Sequence, residues 1–216
     1  MNTRRKLLAG MGAAALGLAA WQAGGRSSPQ APVRASAGSK DFPNVTLYTH
    51  EGRPVKFYDD LIRGKVVTFN MMYAQCERSC PVSTANLRQV QKMLGERVGR
   101  DVFMYSISLQ PELDTPERLR EYVERHHVGS GWLFLTGARA DIDLVRYRLG
   151  FYDPDPLVDF NDLNHTGMLR VGNDALDRWT MAPTLTDAEQ ILSTINHVDS
   201  AMVHTALSTA QPAVFG

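Results

Sequence analysis

The chain of 216 residues balances 23 Lys plus Arg against 23 Asp plus Glu, and 44% of it is apolar. That supplies one sizeable core and excludes the basic stripe on which nucleic-acid binding depends. The charge is unevenly placed: residues 1–37 hold Arg4, Arg5, Lys6, Arg26 and Arg34 and no acid, so the remainder is mildly acidic.

Thr3-Arg4-Arg5-Lys6-Leu7-Leu8 leads into an Ala/Gly-rich apolar stretch that runs to Trp21. Adjacent arginines ahead of such a stretch are the layout of a twin-arginine export signal, and Ala35-Ser36-Ala37 offers a small-residue cleavage site. The other readings are a general secretory signal and an uncleaved membrane anchor. The stretch is short and weakly apolar for a permanent span, which favours a soluble periplasmic product. Residues 1–37 are therefore assigned to the export signal and linker, and 38–210 to one folded domain. In an oxidising compartment an idle thiol pair tends to become a disulfide, so the cysteines there need explaining.

Within the domain, residues 45–48 and 55–57 read as short strands around the turn Glu51-Gly52-Arg53-Pro54. Residues 66–72 form a near-continuous apolar run, the pattern of a strand buried on both faces. After it come the two cysteines of the chain, Cys76 and Cys80, and then Pro81. Proline suits a first helical position, and Val82, Leu87, Val90 and Leu94 recur at helical spacing. Cys80 is thus expected at or beside a helix N-terminus, with Cys76 in the loop leading in, a place where backbone N–H groups and the dipole favour thiolate over thiol. Residues 102–109 form the next strand, and Thr115-Pro116 opens a helix with Leu119, Tyr122 and Val123 inward. Residues 132–135 are another buried strand, and Ile142, Val145 and Leu149 mark a helix that stops at Gly150. Residues 151–162 read as an irregular loop, its prolines arguing against secondary structure. Its aspartates, Asp153, Asp155, Asp159 and Asp162, either solvate it or form a docking patch for a basic partner. Strands near 167–171 and 176–180 pair through Gly172-Asn173-Asp174. The last helix begins at a capping box from Thr186 to Glu189 and carries Ile191, Ile195, Val198 and Met202. Strands alternating with helices, with hairpins at both ends, describe an α/β domain with a mixed central sheet.

A disulfide across so short a spacing staples little, which leaves two chemical uses for the cysteine pair. As a redox pair, one thiolate attacks a substrate disulfide and the other resolves the mixed intermediate. As metal ligands, two thiolates hold one soft ion and normally want a third donor. Of the six histidines, His126 and His127 fall at a helix C-terminus, His197 and His204 in the last helix, and His50 in a turn. His165 follows the long loop and immediately precedes a strand. Ligand groups collect on loops at one edge of such sheets. Spacing alone leaves His165 either a third ligand of a trigonal Cys2His site or a solvated loop residue. Met71, Met72 and Met168 read as core, with soft thioether ligation as the alternative.

Cys76-Glu77-Arg78-Ser79-Cys80-Pro81 resembles the CxxxCP motif of the Sco/SenC family of thioredoxin-like copper proteins. The phrase Asp114-Thr115-Pro116-Glu117-Arg118-Leu119-Arg120-Glu121-Tyr122 resembles that family too, as does Gly131-Trp132-Leu133-Phe134-Leu135-Thr136-Gly137 after it. Asn164-His165-Thr166 stands where the family has its aspartate–histidine–serine signature. The resemblance spans residues 41–200 in matching order. It implies a thioredoxin-like (glutaredoxin-type) three-layer α/β fold with extra hairpins, and copper, Cu(I) or Cu(II), bound by Cys76, Cys80 and His165. It further implies a periplasmic metallochaperone, monomeric, that takes copper from a donor protein. The acceptor would be the copper-A centre of a respiratory oxidase or another periplasmic copper enzyme.

The enzymatic alternative is a thiol–disulfide oxidoreductase in which Cys76 and Cys80 are catalytic; a sensor of copper or redox state is a third reading. Two departures from the family pattern bear on this. Asn164 replaces the usual aspartate, which lowers the preference for the more highly charged Cu(II). The phrase from Met71 to Gln75 also differs from the common one.

Overall fold

The computed structural model describes residues 42–159, 161 and 167–199. Seven strands form one mixed sheet in the order β2 (Pro54–Lys56), β1 (Thr46–Thr49), β5 (Trp132–Gly137), β4 (Val102–Ser108), β3 (Val66–Met72), β6 (Met168–Asn173), β7 (Arg178–Pro183). The export segment, Met202, His204 and the loop residues Asp162, Asn164 and His165 lie outside the described residues. Among the described residues no helix is long and apolar enough to cross a membrane.

The strand β3 (Val66–Met72) lies inside the sheet and is buried from Val67 onward on both faces. It pairs in parallel with β4 (Val102–Ser108) and antiparallel with β6 (Met168–Asn173). Parallel pairing needs a crossover, and α1 (Ser79–Leu94) and α2 (Pro116–Arg125) supply the two that link β3, β4 and β5 (Trp132–Gly137). Hairpins close both ends, β1 (Thr46–Thr49) with β2 (Pro54–Lys56) and β6 with β7 (Arg178–Pro183).

Alternation along the strands splits the core into two layers of side chains. On one face Leu87 and Val90 of α1, Leu119 and Tyr122 of α2, and Ile191 and Ile195 of α5 (Ala188–Val198) pack with Met72, Met104 and Phe134. On the other, Ile142, Val145 and Leu149 of α3 (Arg139–Leu149) pack with Phe57, Phe69, Met71 and Tyr105. Helices on both faces of the sheet make the expected three layers, and the fold is α/β and thioredoxin-like.

Local chemistry accounts for the element ends. Thr115 caps α2, its Oγ1 accepting the Arg118 N–H at 3.4 Å, with Pro116 in the first turn. Helix α3 ends where Gly150 turns left-handed at φ 86°.

Four sequence expectations are corrected. Val82 is exposed, because the buried stripe of α1 runs through Ser83, Thr84, Leu87 and Val90 and leaves position 82 outside it. Phe57 opens a π-helical turn, Phe57–Ile62, rather than ending β2. The capping box at Thr186 is not formed: α5 starts after Asp187, and the Thr186 hydroxyl turns to the Gln190 side chain. The proline-rich loop contains a one-turn helix, α4 (Pro156–Asp159), since Pro156 suits its start and the Asp155 carboxylate accepts the Leu157 N–H at 2.9 Å.

Candidate functional site

At the C-terminal end of β3 the chain leaves the sheet in a tight turn. Leu109 N–H still reaches the Met72 carbonyl at 2.8 Å, and then the Cys76 N–H closes back on the Tyr73 carbonyl at 3.1 Å. Arg78, the residue before α1, provides no side-chain cap. The first-turn amides of a helix need acceptors from elsewhere. One is a sulfur: Cys76 Sγ accepts the Cys80 N–H at 3.4 Å and lies 3.8 Å from Ser79 Oγ. Cys76 therefore occupies the place of a capping side chain at the start of α1.

These contacts decide which thiol of the pair gains from the helix terminus. Burial opposes ionisation of Cys76, yet donation from the Cys80 thiol and from the Cys80 and Arg78 backbone outweighs it and lowers the thiol to about 7. Cys80, second residue of α1, turns inward beside Met72, Leu87 and Tyr122, and only 1% of it is exposed. Burial, reinforced by the neighbouring Cys76, pushes it up to about 12. The helix terminus stabilises charge on the loop cysteine that faces it rather than on the cysteine it contains. Both are free thiols.

Cys76 opens on a cleft of about 490 Å³ lined by Pro81, Arg118, Glu121, Arg125 and His126. His126, the residue at which α2 ends, lies against the Tyr122 ring at 4.1 Å, with its pKa lowered by burial and by Arg125, Arg88 and His127. Sequence reading placed His126 and His127 correctly at the helix end but gave no sign that His126 borders the thiol. His50 is taken up by β5, its Nδ1 accepting the Phe134 N–H at 3.2 Å. His197 sits in the last turn of α5.

His165 lies outside the described residues. Among those described, no three His, Cys, Asp or Glu come together in a group that could hold a metal. Gly167, two residues after His165, has a carbonyl that accepts the Thr184 N–H at 3.0 Å. Thr184, wholly buried, exchanges a hydroxyl hydrogen bond of 2.8 Å with Ser83 of α1, one turn beyond Cys80. Asn86, a turn further on, donates to the Thr184 and Thr186 carbonyls at 2.7 and 2.6 Å. Met71 and Met72 are buried core, as read from the sequence.

Of the loop aspartates, Asp155 is exposed, as the solvating reading has it, while Asp153 and Asp159 also make contacts that the sequence did not show. Asp159 forms a bidentate pair with Arg146 at 2.7 and 2.8 Å and also accepts the Asp153 N–H at 2.8 Å. Asp153 in turn accepts the Asp155 N–H at 2.9 Å. These carboxylates wire the loop to itself and to α3. Asp114 was legible only as part of a phrase. It is fully buried and bonded to both the cysteine turn and β4.

A family model described as SCO1/SenC matches residues 35–199. The chain belongs to the SCO1/SenC family. A SCO1 protein homolog of Bacillus subtilis (strain 168) is 31% identical over 94 residues, 43% of this chain and 47% of that protein. This SCO1/SenC chain thus spans about half the length of the curated relative it matches. Among solved structures, Arabidopsis thaliana ScoI with copper bound superposes with a TM-score of 0.56 at 20% identity, over 72% of this chain and 95% of that one. BsSco, described as carrying a disulfide switch and as a member of the Sco family of cytochrome c oxidase assembly proteins, gives 0.59 at 19%, over 74% and 95%. At these identities the structures establish the shared fold.

Proposed function

We propose that this SCO1/SenC protein is an exported copper metallochaperone that delivers copper to a copper-A-type centre of a respiratory oxidase or a related copper enzyme. Cys76 and Cys80 supply two thiolates and His165 an imidazole, a soft set suited to Cu(I). The observation that carries the reading is the pairing of the two cysteines, the Cys80 N–H donating to Cys76 Sγ at 3.4 Å, with Cys76 on a cleft. The brace of Gly167 to α1 through Thr184 supports the third ligand, because it fastens the strand that follows His165 beside the cysteine helix. Copper is cargo: it moves by ligand exchange, an acceptor thiolate replacing one donor at a time. The copper-bound state of Arabidopsis ScoI is consistent with this assignment. The twin-arginine signal, read from Arg4 and Arg5, directs the chain to the periplasm.

Anaerobic Cu(I) titration of the reduced protein, with X-ray absorption to count neighbours, tests the ligand set. One copper with two sulfurs and one nitrogen is expected, and His165→Ala loses the nitrogen. An unchanged neighbour count in His165→Ala removes the third ligand. Fractionation of cells bearing Arg4→Lys with Arg5→Lys tests the export route, and full export of that variant refutes it.

The split of the two thiols favours a second reading, a thiol–disulfide oxidoreductase acting on the acceptor's cysteines. The Cys76 thiolate would attack an acceptor disulfide and release one acceptor sulfur as thiolate. Cys80 would then attack the mixed disulfide, leaving a Cys76–Cys80 disulfide and a reduced acceptor, with two electrons passed. His165→Ala keeps this activity in full, while Cys76→Ser and Cys80→Ser each abolish turnover.

A further inference from the structure

The loop between β4 and α2 folds back on itself, the Leu113 and Asp114 N–H groups both donating to the Gln110 carbonyl at 2.9 Å. Its last residue, Asp114, turns inward and is 0% exposed. Oδ2 accepts the Ser108 hydroxyl at 2.6 Å and the Ala74 N–H at 3.1 Å, while Oδ1 is buried with no hydrogen-bond partner. A buried carboxylate with an unmet oxygen is costly to keep. The surrounding elements do not require it, because α2 already has Thr115 as its cap and β3 pairs with β4 along its whole length. What Asp114 does hold is the turn that carries Cys76. That turn has a backbone bond of its own, from the Cys76 N–H to the Tyr73 carbonyl, which sets its shape. The bond from Ala74 to Asp114, forty residues away, fixes where the turn sits.

We infer that Asp114 is the positioning residue of the reactive thiol: through the Ala74 N–H it holds the 73–76 turn so that Cys76 Sγ meets the Cys80 N–H. The inference rests on Cys76 as the working thiol and applies equally to copper carriage and to thiol exchange. A displacement of about 1 Å in such a pair costs roughly a hundredfold in reactivity. Ser108, which also accepts the Gln110 N–H at 3.0 Å, orients the carboxylate from the far side.

The test compares Asp114→Ala and Asp114→Asn with the unaltered protein, without metal. The readout is the effective concentration of Cys80 toward Cys76, obtained from the disulfide equilibrium with glutathione. Asp114→Ala is expected to lower it by about tenfold or more. Asp114→Asn, which keeps an oxygen for the Ala74 N–H, is expected to restore it to within about threefold. A general loss of stability shifts the melting temperature of both variants without separating them in this way. An Asp114→Ala protein with native circular dichroism and an unchanged equilibrium overturns the inference. A second measurement needs no variant. The Ala74 amide of the unaltered protein is expected to exchange with solvent at least about a hundredfold more slowly than an open turn, and unprotected exchange overturns the inference. Failure of the copper titration leaves both readouts intact, so the two conclusions fall separately.

Discussion

The backbone N–H of Cys80 points at the sulfur of Cys76 across 3.4 Å, so one member of the pair caps the helix that contains the other. Charge at a helix N-terminus is stabilised on whatever acceptor the first-turn amides face. The two thiols consequently titrate far apart, one lowered to about 7 and the other raised to about 12. Alkylation by iodoacetamide reads this directly. A group with a lowered pKa becomes reactive as pH rises through that value, so the rate at Cys76 should climb about tenfold per pH unit below 7 and level off above it. Cys80 should stay silent throughout the neutral range. Removing the Cys80 thiol in Cys80→Ser leaves the backbone donor in place and should move the Cys76 midpoint upward only in part. A midpoint near the ordinary thiol value in the unaltered protein would refute the capping role.

The Ser83–Thr184 hydroxyl pair joins α1 to the turn after β7, where Thr184 also holds Gly167. Thr184→Val preserves shape and removes the hydroxyl, which leaves Ser83 buried and unpartnered. The cost should be about 1–3 kcal/mol in chemical denaturation. The double variant with Ser83→Ala should recover part of it, because both members of the bond are then apolar. If the brace also serves His165, Thr184→Val should weaken Cu(I) binding beyond what the lost stability explains, in titrations run well below the melting temperature. Equal affinity in the two proteins would confine the brace to folding.

The architecture and the cysteine turn were legible because periodicity reports burial. Residues 66–72 are apolar except for Thr68 and Asn70 and form a strand buried on both faces. The phrase Thr115-Pro116 carries its own cap and first-turn proline. What could not be read depends on partners distant in sequence. Nothing local distinguishes the buried Asp114 from a solvated acid, since its bonds run to Ala74 and Ser108. Which cysteine gains from the helix terminus could not be read for a related reason. Position along the chain places Cys80 at the terminus, but the direction of its N–H, set by the turn, gives the benefit to Cys76. The loop prolines misled because proline is a helix breaker inside a helix and a helix starter at its first turn.

Arg146 anchors the loop that leads toward His165. Its side chain is 14% exposed, and its guanidinium meets both oxygens of Asp159, with a further bond of 2.8 Å to the Phe151 carbonyl. Planar, bidentate donation is a property of arginine that lysine does not share. Arg146→Lys and Arg146→Ala should both release residues 151–159, the former losing about 1 kcal/mol and the latter about 2–3 kcal/mol of unfolding free energy. Limited proteolysis should cut this segment first in either variant. A protease pattern identical to that of the unaltered protein would show that the short helix α4 holds the loop without the ion pair.

Gly172 of β6 is the closest test of the hairpin at the sheet edge. The indole of Trp179 lies directly across it, so that a Cβ at position 172 would clash with the ring at far less than van der Waals distance. Trp179 is in turn packed 4.7 Å from the Phe42 ring and under the Arg170 guanidinium. Gly172→Ala must therefore push the indole off the strand and undo both contacts. Overpacking of this kind costs about 1–3 kcal/mol, and here the displaced group is rigid. The expected signature is a lower denaturation midpoint together with a red-shifted, more quenchable component of the tryptophan emission. Trp179→Leu should rescue the alanine variant, since the smaller side chain leaves room for the methyl. If Gly172→Ala keeps both midpoint and emission, the indole does not lie across β6 in solution.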